Sequence, residues 1–243
     1  MNNRNINNFC IMNQKNKSIS LIILPLFIVL FFIGCSSDEV VVETPGGTVT
    51  DIEGNIYKTV TIGSQTWMAE NLRSIKLTDG SQIPYISDKN SWSLLTTPGY
   101  SYYGNDSISY KFQGGALYNW YTINTKKLCP VGWHVPSDND WTTLISSLGV
   151  DTIAGGKLKN TGTIVWISPN TAATNSTGFN ALPCGYRFYN GSYNNFYYSG
   201  NWWTSTEYSA AAAKYCFLVY NKGSLGRNYL DKQYGFSVRC VKD

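Results

Sequence analysis

The alternation of apolar and polar residues predicts β structure in two parts of the chain. Residues 55–72 (NIYKTVTIGSQTWMAENL) alternate about Gly63 and Ser64, two residue types that suit the tight turn of a hairpin. After Asn175 the sequence consists of short apolar runs separated by Gly, Asn, Asp and Lys, as expected for further strands. In the last run, residues 236–240 alternate strictly, which predicts a strand with one buried face.

A different period marks one helix between residues 137 and 149. Ser137 suits the N-cap, and Asp140, three residues later, completes a pair that resembles a capping box. The apolar residues that follow are spaced for one buried helical face: Trp141, Leu144, Ile145 and Leu148. Gly149 suits the end of the helix. The pattern therefore predicts a capped amphipathic helix directly after the stretch CPVGWHVPSDNDW.

His134, the only histidine of the chain, lies in that stretch and is a candidate for chemistry. Its neighbours Asp138 and Asp140 make proton transfer or metal binding an alternative. Every other polar residue of the stretch has a role in starting the helix, so we interpret His134 as a structural residue beside a buried tryptophan. Nothing in the spacing of Glu207 and Asp231 pairs them with other carboxylates. We therefore expect no catalytic residue, no metal site and no cofactor.

Residues 1–35 combine a basic start with an apolar run from Ile19 to Ile33. As a helix this run spans roughly 22 Å, short of the bilayer core of about 30 Å, so a signal peptide is favoured over a membrane anchor. The run ends in FIGC, which resembles the lipobox of bacterial lipoproteins with Cys35 as the lipidated residue. The alternative is an ordinary signal peptide with a chance cysteine.

Residues 36–50 (SSDEVVVETPGGTVT) show no helix or core-strand period and predict a flexible tether, which leaves residues 51–243 as one domain. Asp38 and Glu39, just after the lipobox, resemble the export signal that sends some lipoproteins of Bacteroidetes to the outer face of the outer membrane. We therefore expect an outer membrane lipoprotein that faces the cell exterior and contacts the membrane through its lipid.

Composition narrows the classes of partner. Without residues 1–35 the chain has 16 basic and 15 acidic residues, so we expect no nucleic acid partner. All 18 Tyr and 8 Trp lie beyond residue 35, and charge is sparse, which is typical of a turn-rich extracytoplasmic β protein.

The cysteines beyond Cys35 are Cys129, Cys184, Cys216 and Cys240. An even number in an exported domain predicts disulfides, for which four cysteines allow three connectivities. A metal site is the alternative, but it needs close pairs such as C-x-x-C, and these cysteines are scattered singly.

Seven blocks of residues 51–243 together resemble a known family. In chain order they are DIEGNIYKTVTIGSQTWMAENL, GALYNWYT, LCPVGWHVPSDNDWTTL, AGGKLKNTGT, TNSTGFNALPCGYR, WWTSTEY and YGFSVRCVKD. They are similar to the Fibrobacter succinogenes major paralogous domain, a family of exported, often lipid-anchored bacterial domains. The resemblance implies export and anchoring and says little about a ligand or an activity.

More distantly, WHVPSDNDW before a helix and GFSVRCV as a final strand are similar to C-type-lectin-like and sulfatase-modifying (formylglycine-generating) domains, which share one fold. That resemblance implies an α+β fold with a small twisted antiparallel core, few helices and long loops. It also implies a Cys129–Cys240 disulfide, since lectin-like folds often tie the first helix region to the last strand, and this leaves Cys184 with Cys216. The chemistry of both relatives is missing, because Cys240 has no second cysteine within five residues and the triplets E-P-N, Q-P-D and W-N-D do not occur.

Between two of these blocks lies FYNGSYNNFYYSGN, residues 188–201, whose aromatic residues are interleaved with Asn, Gly and Ser. This composition resembles that of antibody paratopes and also suits sugar rings. The ligand-binding candidates are the aromatics of this loop and the two tryptophans at its edge: Phe188, Tyr189, Tyr193, Phe196, Tyr197, Tyr198, Trp202 and Trp203. The alternative is a hairpin whose aromatics cover the domain's own core.

We therefore expect a non-catalytic binding or adhesion module at the cell surface, with a glycan or a surface protein as its ligand. A structural spacer or assembly subunit is the alternative. An enzyme related to formylglycine-generating proteins is the least favoured hypothesis.

Overall fold

The computed structural model describes residues 45–243, which contain more strand than helix. In chain order the strands are β1 (Pro45–Thr50), β2 (Ile56–Ile62), β3 (Gln65–Met68), β4 (Tyr100–Ser101), β5 (Leu117–Tyr118), β6 (Trp133–His134), β7 (Cys184–Arg187), β8 (Tyr193–Phe196), β9 (Ser199–Glu207), β10 (Ala212–Val219), β11 (Gly226–Asp231) and β12 (Val241–Lys242). The helices are α1 (Lys89–Ser93), α2 (Ser107–Gly114), α3 (Trp120–Ile123), α4 (Asp138–Leu148) and α5 (Asp151–Leu158). The described chain is thus a β-rich α+β fold with few helices, as the sequence predicts.

Two five-stranded sheets form the framework of the described chain. The first has the order β1-β2-β3-β12-β6, and all its pairs are antiparallel. The second has the order β11-β10-β9-β7-β8, with one parallel pair, β7 with β9. The short strands β4 and β5 pair separately. The second sheet carries half of residues 188–201, in β8 and the start of β9, and therefore positions the candidate site.

The predicted hairpin is confirmed, whereas the predicted tether is too long. β2 and β3 pair antiparallel around Gly63, whose φ of 59° favours glycine. Residues 45–50, the last part of the predicted tether, form β1 and pair with β2. A Cβ at Gly46 would lie 1.4 Å from the carbonyl oxygen of Thr59, so this strand approaches its neighbour through glycine. The expected signal peptide, Cys35 and residues 36–44 lie outside the described residues.

The capped helix is confirmed as α4. The Ser137 hydroxyl accepts from the backbone N–H of Asp140, and the Asp140 carboxylate accepts from the backbone N–H of Ser137 at 2.7 Å. The four predicted apolar residues are its buried face, and Gly149 follows its last residue. In residues 45–243 each helix is too short or too polar to cross a bilayer.

The predicted strand over residues 236–240 is not continuous, since residues 235–237 form only isolated bridges and β12 begins at Val241. Residues 234–241 are also buried on both faces, although the alternation predicts one exposed face. Tyr234, Phe236, Val238 and Cys240 belong to one hydrophobic core, which also contains side chains of β5 and α3, whereas Val241 belongs to the second core. Ser237 and Arg239 are also buried, and the Arg239 guanidinium lies 4.2 Å from the ring centroid of Phe179, in the second core. The segment therefore separates two cores instead of covering one.

Arg239 tolerates burial because its donors are satisfied inside the protein. Its Nε donates to Oδ1 of Asn71 at 2.9 Å, and its Nη atoms donate to the backbone carbonyls of Phe179 and Asn180. Burial lowers its pKa, yet guanidinium remains the charged form at neutral pH. Arg187 is buried in the same way and donates to four backbone carbonyls. A polar residue in an alternating strand thus marks an exposed face only when the fold offers it no internal partner.

Candidate functional site

The structure does not bring the eight ligand-binding candidates together on one surface. Trp202 and Trp203 are 1% and 0% exposed, so their predicted solvent-facing position is wrong. They point to opposite faces of β9, where Trp202 donates to Oδ1 of Asn71 at 2.9 Å and Trp203 to the carbonyl of Tyr118 at 2.8 Å. Because both indole N–H groups are satisfied inside, both residues belong to the cores.

Tyr193 and Phe196 point into a group of rings that we call the packed cluster, formed with Tyr103 and Tyr110. Phe196 is 7% exposed, and its ring centroid lies 4.7 Å from those of Tyr103 and Tyr110. The Tyr193 hydroxyl donates to Oδ1 of Asn105 at 2.6 Å. For these two candidates the structure follows the alternative interpretation, in which the loop covers the domain's own core.

Tyr197 and Tyr198 lie on the surface, and the Tyr197 ring packs edge-on against Phe196 of the packed cluster, with ring centroids 4.6 Å apart. The two tyrosines are 47% and 45% exposed and line a cavity of about 270 Å³ with Trp166 and Ile164. Tyr197 has a left-handed backbone (φ 68°), held by hydrogen bonds from its N–H to the carbonyl of Pro183 and from the N–H of Ile167 to its carbonyl. These contacts fix the turn, but the cavity offers few polar groups to orient a ligand.

Phe188 and Tyr189 lie at the edge of a groove on one face of the second sheet. Both pack against Tyr234, with ring centroids 4.9 Å and 5.8 Å from its ring. The groove has a volume of about 230 Å³. We call it the aromatic groove and define it by the side chains used below: Tyr186, Asn201, Tyr215, Phe217, Tyr234 and Phe236.

Strand register explains how the groove is built. Phe217 of β10 lies directly opposite Asn201 of β9, and β7 pairs on the other side of β9 at Gly185↔Gly200, so Tyr186 follows next to Asn201. Asn201 therefore forms the floor between two aromatic walls. Gly226 opposes Phe217 on β11, and a Cβ there would lie 2.2 Å from the Phe217 ring, so the ring lies across the bare glycine backbone.

Three tyrosines that line this groove have hydroxyls without a partner among the described residues. Within residues 45–243 no hydrogen bond forms from the hydroxyl of Tyr186, Tyr215 or Tyr234 to another residue. Burial raises the pKa of Tyr215 and of Tyr234 to about 12, and the neighbouring tyrosines add to both shifts. The hydroxyls therefore stay neutral at ordinary pH and can both donate and accept. No charged side chain lines the groove.

Sequence reasoning missed the main groove residues, Tyr186, Tyr215, Phe217 and Tyr234. In β10, Tyr215 and Phe217 alternate with Cys216 and Leu218, which are buried on the opposite face. A strand with aromatic residues on one face and aliphatic or sulfur side chains on the other was the available signal. The sequence does not reveal that β7 and the segment at Tyr234 complete the groove.

Of the two predicted disulfides, one is confirmed and one is wrong. Cys129 and Cys240 are bonded. Cys184 and Cys216 are free and buried. They are not bonded to each other because β9 lies between their strands β7 and β10. Two strand spacings amount to about 10 Å, beyond the limit of about 7 Å between the Cα atoms of a disulfide. Burial also raises the pKa of the Cys184 thiol to about 12, which keeps it unreactive.

His134 makes structural contacts, but it is 44% exposed and its neighbour Trp133 is only partly buried. Its Nδ1 lies 2.6 Å from Oδ1 of Asp243, and its Nε2 lies 3.3 Å from Oδ2 of Asp140. The two carboxylates thus lie at opposite ring nitrogens and do not converge on a common point. Asp243 lies 109 residues from His134 along the chain, so no local pattern in the sequence points to it as a partner.

The cleft beside His134 is larger than the aromatic groove, at about 420 Å³. Where this cleft meets the start of α4, however, its polar groups already have partners. Ser137 pairs with Asp140, and the Thr206 hydroxyl accepts from the backbone N–H of Asp138. The groove, whose hydroxyls lack such partners, is therefore the better candidate for a ligand site. Among residues 45–243, no three His, Cys, Asp or Glu side chains lie close enough together to hold a metal ion.

Comparison with known proteins identifies one match. Residues 60–242 match the family described as the Fibrobacter succinogenes major domain (Fib_succ_major). The matched range begins within β2 and includes the disulfide, α4 and the whole aromatic groove. No curated protein and no solved structure gives a significant match to the chain.

Proposed function

The chain belongs to the Fibrobacter succinogenes major domain family, and from this starting point we propose that it is a non-catalytic binding module of the cell surface. The observation that carries this proposal is the aromatic groove. Its three tyrosine hydroxyls make no hydrogen bond to another described residue and are open to solvent, beside aromatic faces that a ligand could cover. A ligand that hydrogen-bonds with these hydroxyls would supply the partners they lack.

The chemistry of the groove favours binding over catalysis. Its side chains are aromatic, aliphatic, amide or hydroxyl groups, and none of them is charged at neutral pH. General acid–base catalysis needs a group that titrates near the working pH, whereas burial moves the pKa values of Tyr215 and Tyr234 away from it, to about 12. Aromatic faces with neutral polar groups are typical of recognition surfaces.

The position at the cell surface is the second part of the proposal. The apolar run before Cys35 and the lipobox-like FIGC support lipidation of that cysteine, and the acidic residues after it support an outer membrane lipoprotein facing the exterior. Fatty-acid labelling in a bacterial host tests this step, and the Cys35→Ala variant should carry no label. Labelling of that variant at the wild-type level would contradict lipidation at Cys35.

A lectin-like arrangement is the third part. The Cys129–Cys240 disulfide supports it, because it links the segment before α4 to the last strand, as the distant resemblance implies. The proposal needs no calcium site, since the groove contains no carboxylate.

The experiment is a binding assay with the full-length protein in detergent on arrays of neutral polysaccharides, acidic polysaccharides and surface glycoproteins. The variant Tyr215→Phe/Tyr234→Phe removes two hydroxyls and keeps the rings. At about 0.5–1.5 kcal/mol for each hydrogen bond, it should bind roughly 5- to 150-fold more weakly.

The matched control is Tyr208→Phe, an exposed tyrosine outside the groove, which should bind like the wild type. Equal binding by the groove variant would contradict the proposed site. Absence of binding to every array component would favour the alternative, a structural spacer.

A further inference from the structure

We infer that the aromatic groove binds a single pyranose ring of a neutral glycan, with equatorial hydroxyls and without calcium. This inference rests on the proposed function and names its ligand class. It follows from the size of the groove, the placement of its rings, the polar group on its floor and its lack of charge.

The size of the groove limits the ligand to one ring. Its volume of about 230 Å³ is below the range of about 300–1,000 Å³ that is usual for pockets of drug-sized ligands. An oligosaccharide would therefore place one residue in the groove and leave its neighbours outside.

The placement of the rings favours a sugar with two apolar faces. Phe217 and Tyr186 lie on either side of Asn201, on strands that are separated by β9. Two strand spacings place these walls about 10 Å apart at the backbone, with the side chains and the ligand between them. A pyranose with equatorial hydroxyls presents C–H groups on both faces, whereas an axial hydroxyl would point into an aromatic wall and lose its hydration.

The floor offers a polar group for the rim of such a ring. Nδ2 of Asn201 donates to the Ser199 hydroxyl at 2.9 Å and to the carbonyl of Gly185 at 3.3 Å. In the described part of the chain no group donates a hydrogen bond to its Oδ1. This oxygen is therefore free to accept from a sugar hydroxyl, while the tyrosine hydroxyls at the walls donate or accept.

Charge selects against acidic sugars. No Lys, Arg or His lines the groove, and the nearby acidic residue Asp231 contributes to the raised pKa of Tyr234. A uronate would bring a carboxylate into this neutral, partly desolvated site without a cationic partner, which is costly. Calcium has no carboxylate ligand in the groove either.

The test is calorimetric titration of the full-length protein with three matched oligosaccharides. A β-1,4-glucose oligomer has equatorial hydroxyls, a β-1,4-mannose oligomer has an axial O2, and an oligogalacturonate carries carboxylates. We expect the glucose oligomer to bind at least 10-fold more tightly than either of the others, with no change on adding EDTA. Asn201→Ala should weaken that binding about 10-fold, and the control Asn139→Ala, an exposed asparagine of α4 outside the groove, should leave it unchanged.

The outcomes separate the two levels of the proposal. The ligand class is overturned if the mannose or uronate oligomer binds as tightly as the glucose oligomer or more tightly, or if binding is lost in EDTA. If that binding is still weakened by Asn201→Ala, the groove remains a binding site. Oligosaccharide binding that is unchanged in every groove variant also overturns the inference. So does a result in which no oligosaccharide binds while a glycoprotein or another array component binds through the groove. Binding that is unchanged in every groove variant overturns the proposed site as well.

Discussion

Two tyrosine-rich regions of the molecule, the packed cluster and the aromatic groove, have similar compositions and opposite roles. In the packed cluster, rings from the turn at Tyr103, from α2 and from β8 meet around Phe196, and the Tyr193 hydroxyl has a partner 2.6 Å away in Asn105. In the groove, Tyr186 and Tyr215 lie against Phe236 and leave their hydroxyls without a partner among the described residues. The difference lies in what covers the rings.

This comparison shows why aromatic content alone is a weak guide to binding. Residues 188–201 supply Tyr193 and Phe196 to the packed cluster but only Asn201 to the side chains that define the groove, whose aromatic residues lie elsewhere in the sequence. The packed cluster stabilises the fold by burying rings, whereas the groove leaves part of its aromatic surface and its hydroxyls available. Mutations should therefore separate stability from affinity, one region at a time.

The largest effect is expected in the packed cluster. Phe196→Ala should lower the free energy of unfolding by about 3–5 kcal/mol, because a buried ring leaves a cavity among Tyr103 and Tyr110. For a domain of this size the melting temperature should fall by roughly 6–20 °C. Thermal and denaturant unfolding check this. A loss below about 1 kcal/mol would mean that Phe196 is not part of the core.

Local patterns in the sequence predicted the parts of the fold that local interactions determine. The capping box of α4 is complete within four residues, and the hairpin of β2 and β3 closes around Gly63, so no distant partner is needed. The Cys184–Cys216 pairing failed for the opposite reason. β9 lies between the two strands, and no local pattern shows the order of strands in a sheet.

The same limit explains which candidate residues were misplaced. Trp202 and Trp203 resemble surface aromatics in the sequence, yet Asn71 and Tyr118, more than 80 residues away, accept from their N–H groups. Arg239 fits the exposed face of an alternating strand until Asn71, Phe179 and Asn180 supply its partners. Contacts of this range follow from the tertiary fold, so the groove could be located only from the structure.

A bulky residue at Gly226 should close the groove without removing any of its side chains. Gly226→Val would displace the Phe217 ring, which lies across this glycine, into the space between the walls. We expect a stability loss of roughly 1–2 kcal/mol from overpacking and at least a 10-fold loss of glycan affinity. Calorimetric binding and denaturant unfolding measure the two effects separately. Tyr229→Val, on the opposite face of the same strand, is the control and should retain binding; unchanged affinity in Gly226→Val would count against the groove.

Removing one hydroxyl from each region sharpens the comparison further. Tyr193→Phe should cost about 0.5–1.5 kcal/mol of stability, because it leaves Oδ1 of Asn105 without its donor from that hydroxyl. Tyr186→Phe should leave stability within about 0.5 kcal/mol, since its hydroxyl has no partner among the described residues. Denaturant unfolding of the two variants is the measurement. A larger loss in Tyr186→Phe than in Tyr193→Phe would reverse the assignment of roles.

The smallest effect concerns pH. Burial raises the pKa of Tyr215 from 10.0 to about 12, so between these values the hydroxyl is ionised in the unfolded chain and protonated in the folded one. The folded state then binds more protons, and stability falls as the pH rises from about 10 through 12. Below pH 10 the contribution of Tyr215 to the free energy of unfolding is constant. Glycan affinity should also be constant between pH 6 and 9, because no side chain of the groove titrates in that range. Tyr215→Phe should lose less stability than the wild type between pH 9 and 11, measured by denaturant unfolding at each pH. An equal loss of stability in both proteins would show that Tyr215 ionises normally and is open to water. A glycan affinity that changes between pH 6 and 9 would place a titrating group at the site.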